Sequence, residues 1–404
     1  MKQKKTIFAV ILAVALFALL ESLCVLVVKA FDRDRKLSPI YQDFTTRERA
    51  EAYHRELTDG PQFDPDLSAD NSIPCRHPDE LKAGSSAIAS VHGDSFTFAQ
   101  HVPYEKGWPY LAGTFLEKPV INCGVSGFGP DLALIKFIKY RNRFPAPVAA
   151  LGILPENVNR CLSRIPNYYF HHWSKLPESK LRFVIRDDAV QFLPNPCRSL
   201  EGLMQLLDPD YLRELSHDDY WYLHDLRRYG YDRIARRPRS FPYTWEATRI
   251  AYGLLRYPGE TRADYIRFYR DEQSEGMRIM RHIVLEFVRK AHSFGAAPLI
   301  IVHCGPGDLK HHADIMPFIQ WMRGQDIIVA DLIDVVRQEI DSGRYRHEDL
   351  YIPVDAHYSV VANWIVARRM APLFDMLARG NIEEARQYSE TLPAPDTGVN
   401  MLLE

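Results

Sequence analysis

The sequence predicts a doubly wound α/β domain, in which helices flank a parallel β-sheet, behind an N-terminal membrane helix. Five short, uninterrupted apolar runs bounded by Gly and Pro are typical of strands buried on both faces. Helical stretches separate these runs, and such alternation favours a parallel sheet with helices on its faces. The first 30 residues hold a disproportionate share of the apolar side chains, which indicates the membrane helix.

The strands and helices follow from local patterns. The five predicted sheet strands are Ala87–Val91, Pro119–Ile121, Pro147–Ile153, Pro298–His303 and Asp326–Ala330. A helix over residues 130–143 begins with Pro and Asp, as helix N-termini commonly do. Residues 271–294 carry an apolar stripe at helical spacing, and residues 359–378 form the last predicted helix. Residues 182–193 predict a β-hairpin that turns at Asp187-Asp188.

The N-terminal helix is expected to be an uncleaved anchor. Residues 7–28 are apolar except for Glu21 and Ser22. At ~1.5 Å per residue, a helix of this length crosses a hydrocarbon core of ~30 Å. A cleaved signal, the alternative, usually has an apolar core of ~7–15 residues and a clear small-x-small cleavage site. Because the tail before the helix is short, we expect the bulk of the chain outside the cytoplasm, with Glu21 facing a partner helix rather than lipid.

The predicted elements divide the chain into four parts. We expect a membrane anchor over residues 1–30, a stalk and lead-in over 31–86, the α/β domain over 87–380 and a C-terminal tail over 381–404. The long gap between the third and fourth sheet strands predicts an insertion at about residues 160–270.

Composition excludes several classes of protein. The chain has 404 residues, 46% of them hydrophobic and 25% charged, which is unlike a disordered or collagen-like chain. With 50 Lys and Arg against 52 Asp and Glu, it lacks the basic surplus of a general nucleic-acid binder, so no nucleic-acid partner is expected. None of the six cysteines forms a CxxC pair, which leaves a zinc ribbon unsupported. Buried free thiols are the default, and Cys161–Cys197 is the candidate disulfide.

Residues that carry chemistry follow the predicted strands at the edge of the sheet where ligands bind. They are Ser95 after the first strand, Gly124 and Gly127 after the second, Asn157 after the third, and Asp355 and His357 before the last helix. A serine hydroxyl needs an adjacent base, which His357 would supply, while Asp355 would hold the imidazole tautomer. The backbone N–H groups of Ser95 and Gly127 and the Asn157 side chain would stabilise an oxyanion.

Four blocks of this sequence resemble those of the SGNH (GDSL) hydrolase superfamily. In chain order they are Gly93-Asp94-Ser95 with Trp108-Pro109, Asn122–Gly127, Leu151–Asn157 and Asp355-Ala356-His357. The blocks occur in family order and span residues 88–378 apart from the insertion. The resemblance implies a three-layer, flavodoxin-like α/β/α sheet and an acyl-enzyme on Ser95. It implies no metal and no organic cofactor, because the triad itself supplies nucleophile and base.

Two blocks depart from the family pattern. The third is expanded, so the oxyanion amide is either Asn157, which lies nearer the strand end, or Asn159. The last has one residue between acid and histidine where many members have two, and this spacing resembles envelope polysaccharide acetyl-transfer proteins. Ser126 is a rival nucleophile, but its surroundings are not Gly-x-Ser-x-Gly, and a tight glycine turn is the favoured interpretation.

The predicted function is a serine esterase, acylhydrolase or O-acyltransferase acting on a small acyl group, such as acetyl, on an envelope or extracellular glycan. The alternatives are a non-catalytic envelope protein that binds glycan or serves an export complex, and a lysophospholipid esterase. The expected partners are an ester-bearing small molecule or glycan and the membrane, through residues 7–28. Protein partners, oligomeric state and the choice between hydrolase and transferase stay open.

Overall fold

The computed structural model describes residues 2–33, 51–52, 55, 64–67, 75–76, 86–169, 178–229, 234, 241–256, 264–353 and 355–393. Most of the predicted stalk and the end of the predicted tail lie outside these residues. The chain divides into two compact units. The larger comprises residues 60–162, 181–195 and 263–404, and the smaller comprises residues 1–59, 163–180 and 196–262.

The larger unit is built on a five-stranded parallel sheet with the order β2-β1-β3-β6-β7. The strands, in chain order, are β1 (Ala89–His92), β2 (Val120–Asn122), β3 (Val148–Ile153), β4 (Arg182–Arg186), β5 (Ala189–Leu193), β6 (Ala297–Val302) and β7 (Val329–Asp331). All four neighbouring pairs in the sheet are parallel. The predicted α/β fold with a parallel sheet is therefore confirmed, and each predicted apolar run overlaps one strand.

The helices account for the remaining regular structure. In chain order they are α1 (Lys2–Arg33), α2 (Ser95–Phe98), α3 (Trp108–Leu116), α4 (Pro130–Tyr140), α5 (Val158–Cys161), α6 (Leu200–Gln205), α7 (Pro209–Ser216), α8 (Tyr220–Tyr229), α9 (Tyr243–Arg256), α10 (Ile266–Arg270), α11 (Glu275–Ser293), α12 (His312–Gly324), α13 (Leu332–Asp341), α14 (His347–Leu350), α15 (Val360–Ala378) and α16 (Ile382–Thr391). The three helices predicted from the sequence correspond to α4, α11 and α15.

Two helix pairs cover the sheet and form its core. Helices α4 and α11 pack together through Phe137 and Phe287, whose ring centroids are 4.9 Å apart. Helices α3 and α15 pack through Trp108 and Phe374 at 6.5 Å. The apolar stripe predicted for residues 271–294 faces this core, because its Met, Ile, Val and Phe side chains are buried.

The hairpin β4–β5 also follows the prediction. Its two strands pair antiparallel, with Arg186 opposite Ala189. Asp187 and Asp188 both have left-handed backbone, with φ of 50° and 59°. A two-residue turn with positive φ at both positions matches the twist of the flanking strands, and Asp tolerates this conformation better than most residues.

The smaller unit contains the apolar N-terminal helix. Within α1, the segment Lys4–Ala30 is long and apolar enough to cross a membrane, as an anchor or as a signal sequence. Glu21 faces helix α9 of the same chain, since its carboxylate accepts hydrogen bonds from the backbone N–H groups of Tyr243 (2.6 Å) and Thr244 (3.0 Å). These bonds satisfy two of the N–H groups that a helix N-terminus leaves unpaired.

The candidate disulfide is wrong, and so is the default of free thiols for Cys75 and Cys123. Cys161 and Cys197 are both free and buried, and the bonded pair is Cys75–Cys123. The chain beside Cys75 pairs with the end of β2, where Arg76 and Asn122 exchange backbone hydrogen bonds of 2.7 and 2.9 Å. This tertiary contact brings the two thiols together across 48 residues of sequence.

Candidate active site

The predicted nucleophile Ser95 is the first residue of α2, directly after β1. Asp94 caps this short helix, because its Oδ1 accepts from the backbone N–H groups of Phe96 (2.9 Å) and Thr97 (3.4 Å). Asp94 is fully buried, and Ser95 is only 2% exposed. The capping carboxylate therefore fixes the turn that carries the hydroxyl.

The structure brings Ser95, His357 and Asp355 into one chain of contacts. The Ser95 Oγ lies 2.7 Å from His357 Nε2, across 262 positions of sequence. His357 Nδ1 in turn lies 3.0 Å from Asp355 Oδ2. If Nδ1 carries the proton that the carboxylate accepts, Nε2 is left to take the proton of the hydroxyl. This is the geometry that activates a serine nucleophile.

Burial controls the charge of His357. The side chain is mostly buried and packs against Phe96, with ring centroids 5.0 Å apart. Loss of water around the ring lowers the pKa of His357, and the charge of Asp355 partly opposes this by favouring the imidazolium. The imidazole is therefore neutral, and available as a base, at neutral pH.

The acid stands on an exposed loop. The Asp355 side chain is 42% exposed. Ala356 between acid and base has φ of 59°, and its N–H donates to the Ile352 carbonyl at 2.8 Å. The left-handed residue turns the chain sharply, which lets a carboxylate only two positions before the histidine reach Nδ1. The short spacing in the last sequence block is thus compatible with an acid–base contact.

A second histidine shares the carboxylate. His101 Nε2 contacts the same Oδ2 of Asp355, and its ring lies 5.3 Å from that of His357. Behind it, Gln100 Nε2 lies 2.8 Å from His101 Nε2, and Ser126 Oγ donates to Gln100 Oε1 at 2.6 Å. Sequence reasoning missed His101, because it belongs to no block and to no periodic pattern.

The same three side chains are the group best suited to a metal ion among the residues that the structure describes. One ligand atom each from His101, Asp355 and His357 lies within 4.8 Å of the others. Two imidazoles and a carboxylate are suitable ligands for zinc. An ion held there would engage the histidine and the acid that otherwise serve Ser95.

Of the predicted oxyanion donors, Asn157 contacts the residue that precedes the nucleophile. Asn157 ends the 3₁₀ turn after β3, is fully buried, and donates from Nδ2 to Asp94 Oδ2 at 2.8 Å. An amide nitrogen carries two N–H groups, and this hydrogen bond uses one of them. Gly127 has φ of 81°, a conformation that favours glycine. Asn159, the alternative amide, lies in α5 and is also fully buried.

Gly124 allows the second block to approach the nucleophile helix closely. A Cβ at this position would lie 2.5 Å from the backbone nitrogen of Phe98 and 2.8 Å from the carbonyl carbon of Thr97. Asn122 reinforces the contact by donating from Nδ2 to the Phe98 carbonyl at 3.2 Å. The chain just after β2 is thereby fixed against α2 at Gly124, three residues before Gly127.

His303, directly after β6, contacts α2. Its Nε2 lies 3.1 Å from Thr97 Oγ1, and both side chains are buried. Burial lowers the pKa of His303 to about 4, so this imidazole stays neutral. The fourth predicted strand ends at His303, but the contact with Thr97 was not predicted from the sequence.

Solved structures similar to the chain include proteins described as lipolytic and of the G-D-S-L family. One, from Desulfitobacterium hafniense, has a TM-score of 0.35 at 11% identity, covering 70% of this chain and 97% of that protein. Another, from Veillonella parvula, has a TM-score of 0.33 at 9% identity, with coverages of 71% and 97%. A two-domain esterase active on acetylated mannans has 0.31 at 12%, with coverages of 79% and 55%. No protein-family model and no curated protein matches the sequence.

With TM-scores of 0.31 to 0.35, these likenesses carry no argument about this chain. The activity that each structure's description names belongs to that protein and is not assigned to this chain.

Proposed function

We propose that this chain is a serine ester hydrolase of the SGNH/GDSL type, with Ser95 as nucleophile, His357 as general base and Asp355 as the orienting acid. The observation that carries the proposal is the continuous contact from Ser95 Oγ through His357 to Asp355, at 2.7 and 3.0 Å. The contact lies at the carboxyl edge of the parallel sheet, where α/β folds bind ligands.

The chemistry proceeds by acyl transfer. Ser95 Oγ bonds to the ester carbonyl carbon while its proton passes to His357 Nε2, and Asp355 stabilises the imidazolium. The intermediate then loses its alkoxide, which takes the proton from Nε2, and an acyl-enzyme remains. Water adds to the acyl carbon in the same way, which releases the acid and restores the hydroxyl of Ser95.

The oxyanion of each intermediate needs fixed donors. The Ser95 and Gly127 backbone N–H groups and the second N–H of Asn157 fill this role in the proposal. A donor of this kind contributes about 3–4 kcal/mol to transition-state stability in favourable cases. Asn157 is preferred over Asn159 because its amide already bonds to Asp94, the residue next to the nucleophile, at 2.8 Å.

The substrate we propose is a small acyl ester, such as acetyl, on an envelope or extracellular glycan. The Asp-x-His spacing supports this, through its resemblance to envelope acetyl-transfer proteins. A glycan hydroxyl that replaced water in the second step would make the enzyme a transferase, since both reactions share one acyl-enzyme.

We place the enzyme on the outer side of a membrane, held by α1. The disulfide Cys75–Cys123 supports an oxidising compartment, because such bonds seldom persist in the cytoplasm. This placement is tested by adding protease to cells whose outer layer is permeable and whose cytoplasmic membrane is intact. The larger unit should be cleaved in intact cells, whereas protection until lysis would place it in the cytoplasm.

The mechanism is tested by covalent labelling. A fluorophosphonate probe should label the wild-type protein and Ser126→Ala, but not Ser95→Ala. Incubation with an activated acetyl ester should add one acetyl mass to Ser95, detectable by intact mass spectrometry. Equal labelling of wild type and Ser95→Ala would refute the nucleophile, and no labelling of either would favour the non-catalytic glycan-binding alternative.

A further inference from the structure

Helix α9 lies along the C-terminal half of α1. Phe17 of α1 contacts Phe241, just before α9, with ring centroids 6.1 Å apart. Further along α1, Val28 is buried against Ile250. Since contacts advance in the same direction on both helices, α9 runs parallel to α1.

Glu21 fastens the N-terminus of α9 to α1 within the apolar segment. Its carboxylate accepts from the N–H groups of Tyr243 and Thr244 and from the Thr244 hydroxyl, at 2.5 to 3.0 Å, and the side chain is buried. Glu21 lies nine residues before Ala30, the end of the apolar segment, or about 13 Å along the helix axis. A carboxylate at this depth is costly without partners, and the positive end of α9 provides them.

The outer face of α9 is apolar and uncovered. Phe241, Trp245, Tyr252 and Leu255 are between 61% and 82% exposed. Within α9, spacings of seven and three residues place Trp245, Tyr252 and Leu255 on one side of the helix, and Phe241 precedes its first turn. The inward face is different, because Tyr243, Ala247 and Ile250 pack on Val28 of α1. The exposed residues form what we call the α9 stripe.

The charged residues of α9 lie off the stripe or in its C-terminal half. Glu246 is rotated by about 100° from Trp245, and it pairs at 3.8 Å with Arg249. Arg249 and Arg256 lie on the side of the stripe, from the level of Val28 onward, where long Arg side chains can extend to the membrane surface. Trp and Tyr are the residues enriched where a membrane meets water. A helix that starts beside the buried Glu21 and runs towards Ala30 therefore presents its stripe alongside the C-terminal half of the apolar segment, with Tyr252 and Leu255 nearest the interface.

We infer that α9 is a second membrane-contacting element, whose stripe faces lipid beside the C-terminal half of α1. The partner that covers the α9 stripe is the lipid bilayer that α1 crosses. The inference rests on the anchor in the proposed function and is independent of the esterase chemistry. It assigns part of the insertion to holding the protein at the membrane surface.

Tryptophan quenching tests the inference on the full chain in nanodiscs of phosphatidylethanolamine and phosphatidylglycerol. The difference between wild type and Trp245→Phe isolates the emission of Trp245. We expect brominated phosphatidylcholine in the disc to remove most of this emission, and aqueous acrylamide to leave it largely unchanged. The matched control carries Phe192→Trp in the Trp245→Phe background, since Phe192 of β5 is also exposed, and it should respond to acrylamide alone.

Two further results decide the inference. Glu21→Ala removes the acceptor at the start of α9, so Trp245 should lose its quenching by brominated lipid, while Glu21→Gln should retain much of it. If Trp245 is quenched by acrylamide and not by brominated lipid in a chain that retains α1, the inference is wrong and the anchor stands. If mass spectrometry shows that the mature chain begins after Ala30, both the anchor and the inference are wrong.

Discussion

The two ends of the triad are built differently. At the nucleophile end, Ser95 is 2% exposed, begins a helix capped by the fully buried Asp94, and lies between β1 and the close approach of Gly124. At the acid end, Asp355 is 42% exposed and stands on a loop with a left-handed Ala356. The sheet fixes one end, whereas the other depends on contacts at the surface.

This difference indicates which residues of the triad contribute most to the rate of the reaction. Buried, preorganised groups act in a low dielectric and lose little to solvent. A pair exposed to solvent contributes less, because water screens it. We therefore expect Ser95 and its support to dominate, with Asp355 contributing less than the buried acid of a typical triad. The contact with His101 would compensate by holding the exposed carboxylate.

The largest effect is expected at the nucleophile. Ser95→Ala should lower kcat for an aryl acetate by about 10⁴-fold or more, as removal of a triad serine does elsewhere. Steady-state hydrolysis measures the effect, and circular dichroism checks that the variant is folded. Ser126→Ala is the matched control and should stay within about fivefold of wild type, since it removes only the hydrogen bond to Gln100 behind His101.

The next effect is expected at the acid. Asp355→Asn should lower kcat/KM by about 10–100-fold, less than the ~10⁴-fold loss found for a buried triad acid. The exposed carboxylate orients His357 less strongly, and the asparagine oxygen still accepts from Nδ1. Measurement of kcat/KM for the same aryl ester decides the matter. A loss as large as that of Ser95→Ala would mean that both ends of the triad are equally critical, contrary to the comparison.

A smaller effect is expected from His101. Removing this neighbour by His101→Ala should lower kcat/KM by about two- to fivefold, the range that an exposed charged contact supports. His101→Gln keeps an N–H donor for Asp355 and should recover part of the loss. If His101→Ala has no effect while Asp355→Asn has a large one, the shared contact does not hold the acid.

Much of the fold was predictable from the sequence because buried parallel strands appear as uninterrupted apolar runs. The hairpin was predictable because two Asp residues with positive φ separate two strand-like runs. Ser95, His357 and Asp355 could be proposed together because a parallel sheet gathers the residues after its strands at one edge.

Contacts that arise only from tertiary approach were not predictable. His101 lies in a turn after α2 with φ of 67°, and it meets Asp355 only because a loop 254 positions later returns to the same edge. Cys75 pairs with Cys123 because its strand-like neighbour Arg76 lies along the end of β2. Neither contact leaves a period or a motif in the sequence.

The smallest expected effect is a pair of opposite shifts in pH dependence. Burial lowers the pKa of His357, so activity should rise with pH through a value below the ordinary imidazole value of about 6.5. Asp355 favours the imidazolium and His101 opposes it. Asp355→Asn should therefore move the acid limb of kcat/KM to lower pH, and His101→Ala should move it to higher pH. Because kcat/KM reports groups of the free enzyme, full pH profiles of the three proteins measure these shifts. Shifts in one direction for both variants would contradict the view that Asp355 and His101 act on the pKa of His357 in opposite senses.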